Sequence, residues 1–337
     1  MAAPRLIFGA LVVSLLVGCS RPVAPLPEAL PPSPTPAPPI VFPRDAGPHD
    51  SLTEWWYFTG HLRSAGGRSY GFEFTIFQVL RQDAPSGYLA HYAISDIDGQ
   101  RFSHAAHASQ TAEPQPGFPL RVEDWVLDQQ GSTNTIDASM PGYELHVQLS
   151  DEKPPALHHG GYIEYGPAGG SYYYSRTRLS VSGHVNTESV SGIAWMDHQW
   201  GNFVVTGQGG WDWYSLQLDD RTELMLYVLR DGSGATSGVY GSFIAADGSV
   251  RELTRGEVQA EATGQWLSPH TGATYPSGWR LTVSDGAVLT LKPQLLDQEL
   301  YFPDVSPASR IAYWEGAVTI EGTRTGVGYV ELTGYAP

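Results

Sequence analysis

Apolar and polar residues alternate with a period of two along much of the chain. Short runs rich in aromatic and β-branched side chains, such as residues 70–79 and 222–229, are separated by turn signals. Examples of these signals are Asp98-Gly99, Gly160-Gly161 and Asp247-Gly248. No comparable stretch shows a sustained helical period. The pattern predicts an all-β protein of the barrel or sandwich class.

One hairpin pattern occurs twice. Tryptophan and tyrosine open both copies, at Trp55-Trp56-Tyr57 and at Trp213-Tyr214. Later runs also correspond, residues 179–183 and 191–197 with residues 318–322 and 327–333. We therefore expect a duplicated barrel, with an N-terminal domain over residues 44–205 and a C-terminal domain over residues 206–337. Each copy has the size of a small barrel that holds one ligand; a coincidence of aromatic-rich hairpins is the alternative.

The start of the chain differs from the rest. A basic n-region and an apolar run over residues 6–17 predict a signal peptide over residues 1–19, ending in Leu16-Val17-Gly18-Cys19. This ending resembles the lipobox of bacterial lipoproteins, in which the cysteine is lipidated; a chance cysteine after an export signal is the alternative. Residues 20–43 are rich in proline, which predicts an extended tether. An SH3-type ligand is the other interpretation of that segment.

The lipobox also predicts a location. A lipidated Cys19 would carry several acyl chains, which anchor a protein stably to a membrane. Ser20 follows the cysteine, and by resemblance to Gram-negative lipoproteins a residue other than aspartate at that position favours the outer membrane. We therefore expect a lipid-anchored envelope protein that faces the periplasm.

The charge and the cysteine content of the chain exclude some classes of partner and of site. The 337 residues include 35 acidic and 19 basic side chains, which gives a formal net charge of -16. The two lysines are Lys153 and Lys292, whereas a nucleic-acid surface needs clustered lysine and arginine. No nucleic-acid partner is expected. The single cysteine excludes a disulfide within the chain and a metal site built on cysteines.

The densest cluster of candidate functional residues lies in residues 194–203. Adjacent strand residues face opposite sides, so Asp197 and His198 are not expected to share a cavity, whereas His198 and Trp200 are. An ionisable ring beside a large apolar surface suits proton transfer to an unsaturated ligand. The alternative is that Trp200 packs the barrel end and His198 hydrogen-bonds a loop.

A second cluster surrounds Glu54. This residue precedes Trp55, Trp56 and Tyr57 and is a candidate buried acid at the barrel mouth, although glutamates that open strands are usually solvated. The candidates to line a cavity for a large apolar ligand, or else to pack in the core, are Trp55, Trp56, Tyr57, His91, Tyr92, Trp200 and Trp213.

Signals for metal and hydrolase chemistry are weak. His104 with His107, and His158 with His159, lack the helical His-Glu-x-x-His arrangement. We expect no metal and no other cofactor. No Gly-x-Ser-x-Gly elbow occurs in the sequence, and βαβ patterning is absent, which excludes a serine esterase of the α/β type.

Several motifs together resemble the AttH/CrtC family of lipocalin-like proteins. They are Glu54-Trp-Trp-Tyr-Phe58, His91-Tyr92, Trp195-Met-Asp-His-Gln-Trp-Gly201, Tyr313-Trp-Glu-Gly316 and Gly328-Tyr-Val-Glu-Leu-Thr-Gly334. The resemblance runs from about His49 to the C terminus and implies two tandem calycin-type barrels. Some members are carotenoid 1,2-hydratases, which add water to a terminal isoprenoid double bond without a cofactor. Others catalyse pericyclic cyclisations, or are described as predicted secreted hydrolases or transporter-linked envelope proteins.

The resemblance also assigns roles to residues. The functional His-x-Trp of the hydratases corresponds to His198-Gln199-Trp200, and their Tyr-x-Asp corresponds to Tyr227-Val228-Leu229, where leucine replaces the aspartate. Asp197 or Glu54 is the candidate substitute. We expect a protein that binds a hydrophobic, lipid-like or isoprenoid-like molecule in or between its barrels, with or without hydratase-type chemistry. The alternatives are a non-catalytic lipid carrier and an accessory protein of an envelope ABC transporter.

Overall fold

The described part of the chain is built almost entirely of β-strands. A computed structural model describes residues 37–80, 85–165, 169–203, 209–302 and 312–336, so Cys19, the signal peptide and most of the predicted tether lie outside the described residues. Within those ranges the one helical element is a 3-10 helix at Arg44–Ala46. No helix in the described ranges is long and apolar enough to cross a membrane. The all-β prediction is confirmed.

The first sheet contains eleven antiparallel strands. They are β1 (Thr53–Ser64), β2 (Ser69–Val79), β3 (Ser86–Asp96), β4 (Arg101–Thr111), β5 (Leu120–Val122), β6 (Trp125–Gln130), β7 (Thr133–Met140), β8 (Tyr143–Asp151), β9 (Ala156–Glu164), β10 (Gly169–Val185) and β11 (Glu188–Phe203). Their spatial order is β4-β3-β2-β1-β11-β10-β8-β7-β6-β5, with β9 paired to β10. Because β5 also approaches β3 and β4, the sheet curls into a nearly closed barrel.

The second sheet repeats this plan. Its strands are β12 (Trp211–Leu218), β13 (Glu223–Arg230), β14 (Thr236–Ile244), β15 (Val250–Leu253), β16 (Val258–Ala262), β19 (Trp279–Val283), β20 (Val288–Pro293), β21 (Glu299–Tyr301), β22 (Ala312–Gly322) and β23 (Gly326–Leu332), while β17 (Gln265–Leu267) and β18 (Thr274–Pro276) form a separate pair. The order is β15-β14-β13-β12-β23-β22-β20-β19-β16, with β21 beside β22. In both sheets the opening strand therefore lies between the second strand and the last one. Two tandem lipocalin-like barrels are confirmed.

Alternation along the strands gives each barrel an apolar interior. In β1, Trp56 and Phe58 point into the first barrel, where they join a core that includes Trp125. The second barrel has its own core around Trp279 and Leu289. The outward faces of the two sheets are also apolar and pack against each other in a third cluster, which includes Tyr57, Trp195, Trp213, Ala317 and Tyr329. This contact between the barrels forms the candidate site described below.

A buried ion cluster holds the two barrels together. Glu223 of the second barrel accepts hydrogen bonds from Lys153 Nζ and from Arg178 Nε of the first barrel, each at 2.7 Å. Lys153 also donates to the carbonyl oxygen of Ala245 at 2.9 Å. All three charged side chains are buried. The barrels also approach closely at Gly71, where a Cβ atom would lie 2.3 Å from Tyr329 Oη.

The segment before β1 covers one end of the first barrel. Ile40 and Phe42 pack against the barrel core, and the Phe42 ring meets the edge of Tyr174 at a centroid distance of 4.9 Å. The indole N–H of Trp56 donates to the carbonyl oxygen of Ala46 at 3.1 Å. The last residues of the predicted tether, Ile40 and Phe42, are therefore packed on the barrel.

Candidate functional site

Strand β11 carries candidate residues on both of its faces. Its Asp197 lies opposite Tyr57 of β1, and its His198 lies opposite Trp56. Because side chains alternate along a strand, Asp197 points out of the first barrel towards the second one, whereas His198 points inward. The two residues belong to two separate clusters.

The inner cluster is centred on Glu54. Its Oε1 accepts from His198 Nε2 and from His49 Nδ1, each at 2.7 Å. Its Oε2 accepts from the His49 backbone N–H at 2.8 Å and from Gln78 Nε2 at 3.1 Å. His198 Nδ1 then accepts from the Tyr174 hydroxyl at 3.1 Å. Four hydrogen bonds satisfy the carboxylate although Glu54 is fully buried, which differs from the solvated glutamate that is usual at a strand start.

Aromatic rings enclose the inner cluster. The His198 ring stacks on Trp56 at 4.7 Å, and the His49 ring stacks on Trp200 at 4.0 Å. Burial lowers the pKa of His198, and the hydrogen bond that it donates to Glu54 reverses this only in part. For Glu54, burial raises the pKa, but the hydrogen bonds from His198 and His49 outweigh it, and the pKa is lower than usual. The stable pair is thus a carboxylate with a neutral His198 imidazole.

Two groups of side chains in the described part of the chain have the residue types of a metal site. The donor atoms of His49, Glu54 and His198 lie within 4.8 Å of one another. Two histidines and a carboxylate are a common ligand set for transition metals. Here the Nδ1 of His49 and the Nε2 of His198 both bind the Glu54 carboxylate directly. The other group, His107 with the exposed Glu123 and Asp124, lies on the surface.

The second cluster lines a cleft of about 190 Å³ between the barrels. The first barrel contributes the outward side chains of β1, β2, β10 and β11, and the second barrel contributes β12, β13 and β23. The lining residues are Thr53, Trp55, Tyr57, Thr75, Phe77, Tyr173, Asp197, Gln199, Trp211, Trp213, Tyr227 and Glu331. Most of this wall is aromatic, and two of its members are carboxylic acids.

Asp197 is fully enclosed by hydrogen-bond donors. Its Oδ2 accepts from the Tyr173 hydroxyl at 2.5 Å, and its Oδ1 accepts from Trp195 Nε1 at 2.6 Å and from the Ser175 hydroxyl. These bonds favour the carboxylate, but burial opposes them and raises the pKa of Asp197 to about 6. At neutral pH this group is therefore close to the point at which it can give or take a proton.

The second barrel contributes two more acids with raised pKa values. Burial raises the pKa of Glu331 to about 7, although Trp211 Nε1 donates to its Oε2 at 3.0 Å. Glu315 lies beside Glu331 on the neighbouring strand and accepts from the Tyr57 hydroxyl at 2.6 Å. Burial and the charges of Glu331 and Glu73 raise the pKa of Glu315 well above its usual range. Among the described residues, none of these acids forms an ion pair with a basic side chain.

The structure divides the candidates from the sequence into two main groups. Asp197 and Tyr227, proposed for chemistry, lie in the cleft with Trp55, Tyr57 and Trp213. His198, Glu54, Trp56, Tyr92 and Trp200 lie inside the first barrel. These two sets do not share one cavity.

His91 occupies a third position. It points outward from β3, where its Nδ1 binds the Tyr313 hydroxyl at 2.7 Å and its ring stacks on Phe302 at 4.5 Å. It packs beside Phe77, a lining residue of the cleft, at a centroid distance of 5.3 Å. His91 is thus near the cleft and does not line it.

The sequence patterns assign no role to Glu331, Tyr173 or His49, although His49 opens the cluster that contains Glu54. Glu331 lies in residues 327–333, the counterpart of residues 191–197, where it corresponds to Trp195 and not to an acid. Tyr173 is one of three consecutive tyrosines, residues 172–174, and aromatic residues in strands are more often part of a core than of a binding site. His49 precedes the first strand, and its ring reaches Glu54 because the chain folds back over the barrel end.

Comparisons with known proteins agree with this architecture. The family model for AttH-like proteins matches residues 33–335. The crystal structure of an AttH protein from Nitrosomonas europaea is 31% identical in sequence and superposes with a TM-score of 0.82, covering 90% of this chain and 99% of that one. Kievitone hydratase from Nectria haematococca is 16% identical with a TM-score of 0.69, covering 88% and 93% of the two chains, and shares the fold. No protein with a curated description matches the chain. The chain belongs to the AttH-like family.

Proposed function

We propose that the protein binds a hydrophobic, isoprenoid-like or lipid-like molecule in the cleft between its barrels and that Asp197 acts there as a general acid. The observation that carries this proposal is the pairing of an aromatic wall with Asp197 and Glu331, two carboxylic acids with pKa values raised to about 6 and about 7. Carboxyl groups that titrate near neutral pH in an apolar cleft suit acid–base chemistry at a carbon–carbon double bond, in which one gives a proton and the other takes one. No cofactor enters this chemistry.

A hydration that uses Asp197 and Glu331 is balanced in atoms and in protons. The protonated Asp197 gives its proton to the less substituted carbon of the terminal double bond, which leaves a tertiary carbocation and the Asp197 carboxylate. The rings of Trp55 and Trp213 face the same space and stabilise the cation. Water adds to the cation, and Glu331 in its carboxylate form takes the released proton. The reverse sequence dehydrates an alcohol.

The size of the cleft limits what it encloses. A cavity of about 150 Å³ holds a benzene-sized ligand, so a cleft of about 190 Å³ holds the end of an isoprenoid or acyl chain and leaves the remainder outside. Tyr227 occupies the position of the hydratase tyrosine and lines this cleft. Leu229 stands where the hydratases have aspartate, and Asp197 supplies the carboxyl group from the opposite barrel. The hydratase name of one structural neighbour is consistent with this proposal.

The test uses acyclic isoprenoid alkenes of two and three isoprene units in water enriched in oxygen-18, with the labelled alcohol measured by mass spectrometry. We expect incorporation by the unaltered protein and a loss of about a hundredfold or more in Asp197→Asn. Asp50→Asn, which changes an exposed aspartate, is the matched control. If His198→Asn removes turnover and Asp197→Asn keeps it, the chemistry lies inside the first barrel and the proposal is wrong. Binding without turnover would indicate a carrier.

We also propose that the protein is an envelope lipoprotein anchored through Cys19, facing the periplasm. The support is the lipobox Leu16-Val17-Gly18-Cys19 after an apolar run. Expression of the full chain in a Gram-negative host with a clickable palmitate analogue tests it. The label is expected on the unaltered chain and not on Cys19→Ser; label on both, or on neither, would contradict the anchor. Co-purification with permease components would favour the accessory role at an ABC transporter.

A further inference from the structure

A line of hydrogen bonds leads from Asp197 away from the cleft. The Ser175 hydroxyl donates to Asp197 Oδ1, and His158 Nε2 contacts Ser175 Oγ at 2.7 Å. On the other side of the ring, His158 Nδ1 contacts Ser242 Oγ at 2.8 Å. Ser242 Oγ in turn lies 3.4 Å from Glu252 Oε2. Asp197, Ser175 and His158 belong to the first barrel, and Ser242 and Glu252 belong to the second.

The inner members of this line are sealed from water. Ser175, His158 and Ser242 are each 0% exposed. Glu252 at the far end has a side chain that is 36% exposed and lies 3.3 Å from His159 Nε2. The line therefore connects a buried acid with a carboxylate that is in contact with solvent.

Local backbone geometry sets the histidines in place. The sequence predicts a turn at Gly160-Gly161, but the structure includes both residues in β9, where they have positive φ angles of 69° and 102°. His159 before them has φ 50°. The pairing of β9 with β10 shifts register at this point. This irregularity lets His158 face the buried Ser175 while His159 faces the surface Glu252, whose Oε1 accepts the His159 backbone N–H at 2.7 Å.

The hydrogen bonds have one consistent direction when Asp197 is ionised. A carboxylate only accepts, so Ser175 donates to Asp197 and accepts from His158 Nε2–H. His158 Nδ1 then accepts from the Ser242 hydroxyl, whose oxygen in turn accepts from Glu252 when that carboxyl group carries the entering proton. When Asp197 is protonated, each bond can reverse, and His158 takes the other tautomer. Burial lowers the pKa of His158 to about 3, so the ring stays neutral and passes a proton by exchanging tautomers.

We propose that His158, with Ser175 and Ser242, relays protons between Asp197 in the cleft and solvent at Glu252. One proton enters at Glu252, each intermediate group receives one proton and gives one, and one proton arrives at Asp197. His158 is a positioning and relay residue that acts through Asp197 and does not touch the ligand. The inference rests on the proposed role of Asp197 as the acid, because a hydration leaves Asp197 ionised and the next cycle needs its proton back.

Other titratable side chains lie around Asp197, and a test must distinguish their optical signals from the signal of Asp197. They are Tyr173 on β10, Tyr57 on β1, Tyr227 on β13, Glu315 on β22 and Glu331 on β23. Of these groups, Glu331 has a pKa of about 7, which is close to the value of about 6 for Asp197. Asp197→Asn therefore identifies which optical signal belongs to Asp197.

The relay is tested by the rate at which Asp197 takes up a proton in the free, full-length protein. A stopped-flow jump from about pH 8 to about pH 5 is followed by tryptophan fluorescence, because Trp195 Nε1 donates to Asp197. The phase that disappears in Asp197→Asn reports that group. In His158→Gln the amide keeps a donor and an acceptor but cannot relay a proton. We expect this phase to slow by about tenfold or more with its equilibrium midpoint unchanged, and His184→Gln, an exposed histidine of β10, to behave as the unaltered protein.

Ser175→Ala breaks the line at a second place and should slow the same phase, which keeps the test open if His158→Gln does not fold. Imidazole added to His158→Gly should restore the rate, an effect that a purely structural role would not produce. An unchanged rate in both His158→Gln and Ser175→Ala would overturn the relay, as would a phase that survives in Asp197→Asn. Because no ligand is used, a failed hydration assay with a slowed phase would reject the proposed reaction and retain the relay.

Discussion

Asp197 and His198 are consecutive residues with no shared environment. Asp197 faces the cleft between the barrels, where Tyr173, Ser175 and Trp195 bind its carboxyl group. His198 lies inside the first barrel against Glu54. Substitutions at these two positions therefore test different sites, and the two acids, Asp197 and Glu54, are expected to affect stability with opposite signs.

Asp197→Asn is expected to stabilise the protein at high pH. The pKa of Asp197 is raised in the folded state to about 6 from its ordinary value of 3.8, so the folded protein keeps this proton to a higher pH than the unfolded chain does. Stability is lost as pH rises from about 4 to 6. Because proton binding and folding are linked, ionisation of Asp197 lowers the free energy of unfolding by about 3 kcal/mol at pH values above that window.

Denaturant unfolding at about pH 4 and about pH 8 measures this effect. The variant should match the unaltered protein at the lower pH and exceed it by about 2–3 kcal/mol at the higher one. Asp50→Asn serves as the exposed control and should show no such difference. A variant that is less stable at both pH values would contradict the raised pKa.

Glu54→Gln is expected to destabilise the protein at neutral pH. The pKa of Glu54 is lowered in the folded state, where hydrogen bonds from His198 and His49 outweigh the effect of burial. Its carboxylate thus contributes stability above its usual pKa, and that contribution is lost as pH falls through the folded-state value. Weakening hydrogen bonds to a charged group costs about 2 kcal/mol.

The free energy of unfolding at neutral and acid pH measures the Glu54 effect. The difference between Glu54→Gln and the unaltered protein should shrink on acidification. Glu321→Gln, which removes an exposed carboxylate, should change stability by less than about 1 kcal/mol. Equal losses at all pH values would show that shape rather than charge holds the inner cluster.

Much of the fold follows from the sequence because alternation is a local property. The strands that carry the repeated Trp-Tyr pattern, β1 and β12, have equivalent places in the two sheets, although Trp56 points into the first barrel and Trp213 points into the cleft. The opposite directions of Asp197 and His198 also follow from alternation alone. The same rule separates Trp55 from Trp56, although both were assigned to one binding site.

The composition of the site depends on contacts between distant segments. Tyr57 reaches Glu315, and His158 reaches Ser242, across the interface between barrels. The pattern along a single strand carries no information on how one barrel packs against the other. The sequence therefore does not identify Glu331 as a residue of the cleft. The burial of Glu54 depends likewise on His49 folding over the barrel end.

Glu223→Gln should weaken the attachment between the barrels. It leaves Lys153 and Arg178 buried with a neutral partner, and breaking a buried pair in this way costs about 3–5 kcal/mol. Chemical unfolding measures the loss, again with Glu321→Gln as the exposed control. A loss no greater than that of the control would show that the cluster does not hold the interface.

The most direct test of the proposed function is to determine where the ligand binds. A farnesyl-length isoprenoid with a photoreactive diazirine at its terminal unit is crosslinked to the full-length protein, and the labelled residues are mapped by peptide mass spectrometry. We predict label on Trp55, Tyr57, Trp213 or Tyr227 of the cleft, and loss of that label on competition with the unmodified isoprenoid. Label confined to the first-barrel interior around Trp56 and Trp200, or label that competition does not reduce, would contradict the proposed function.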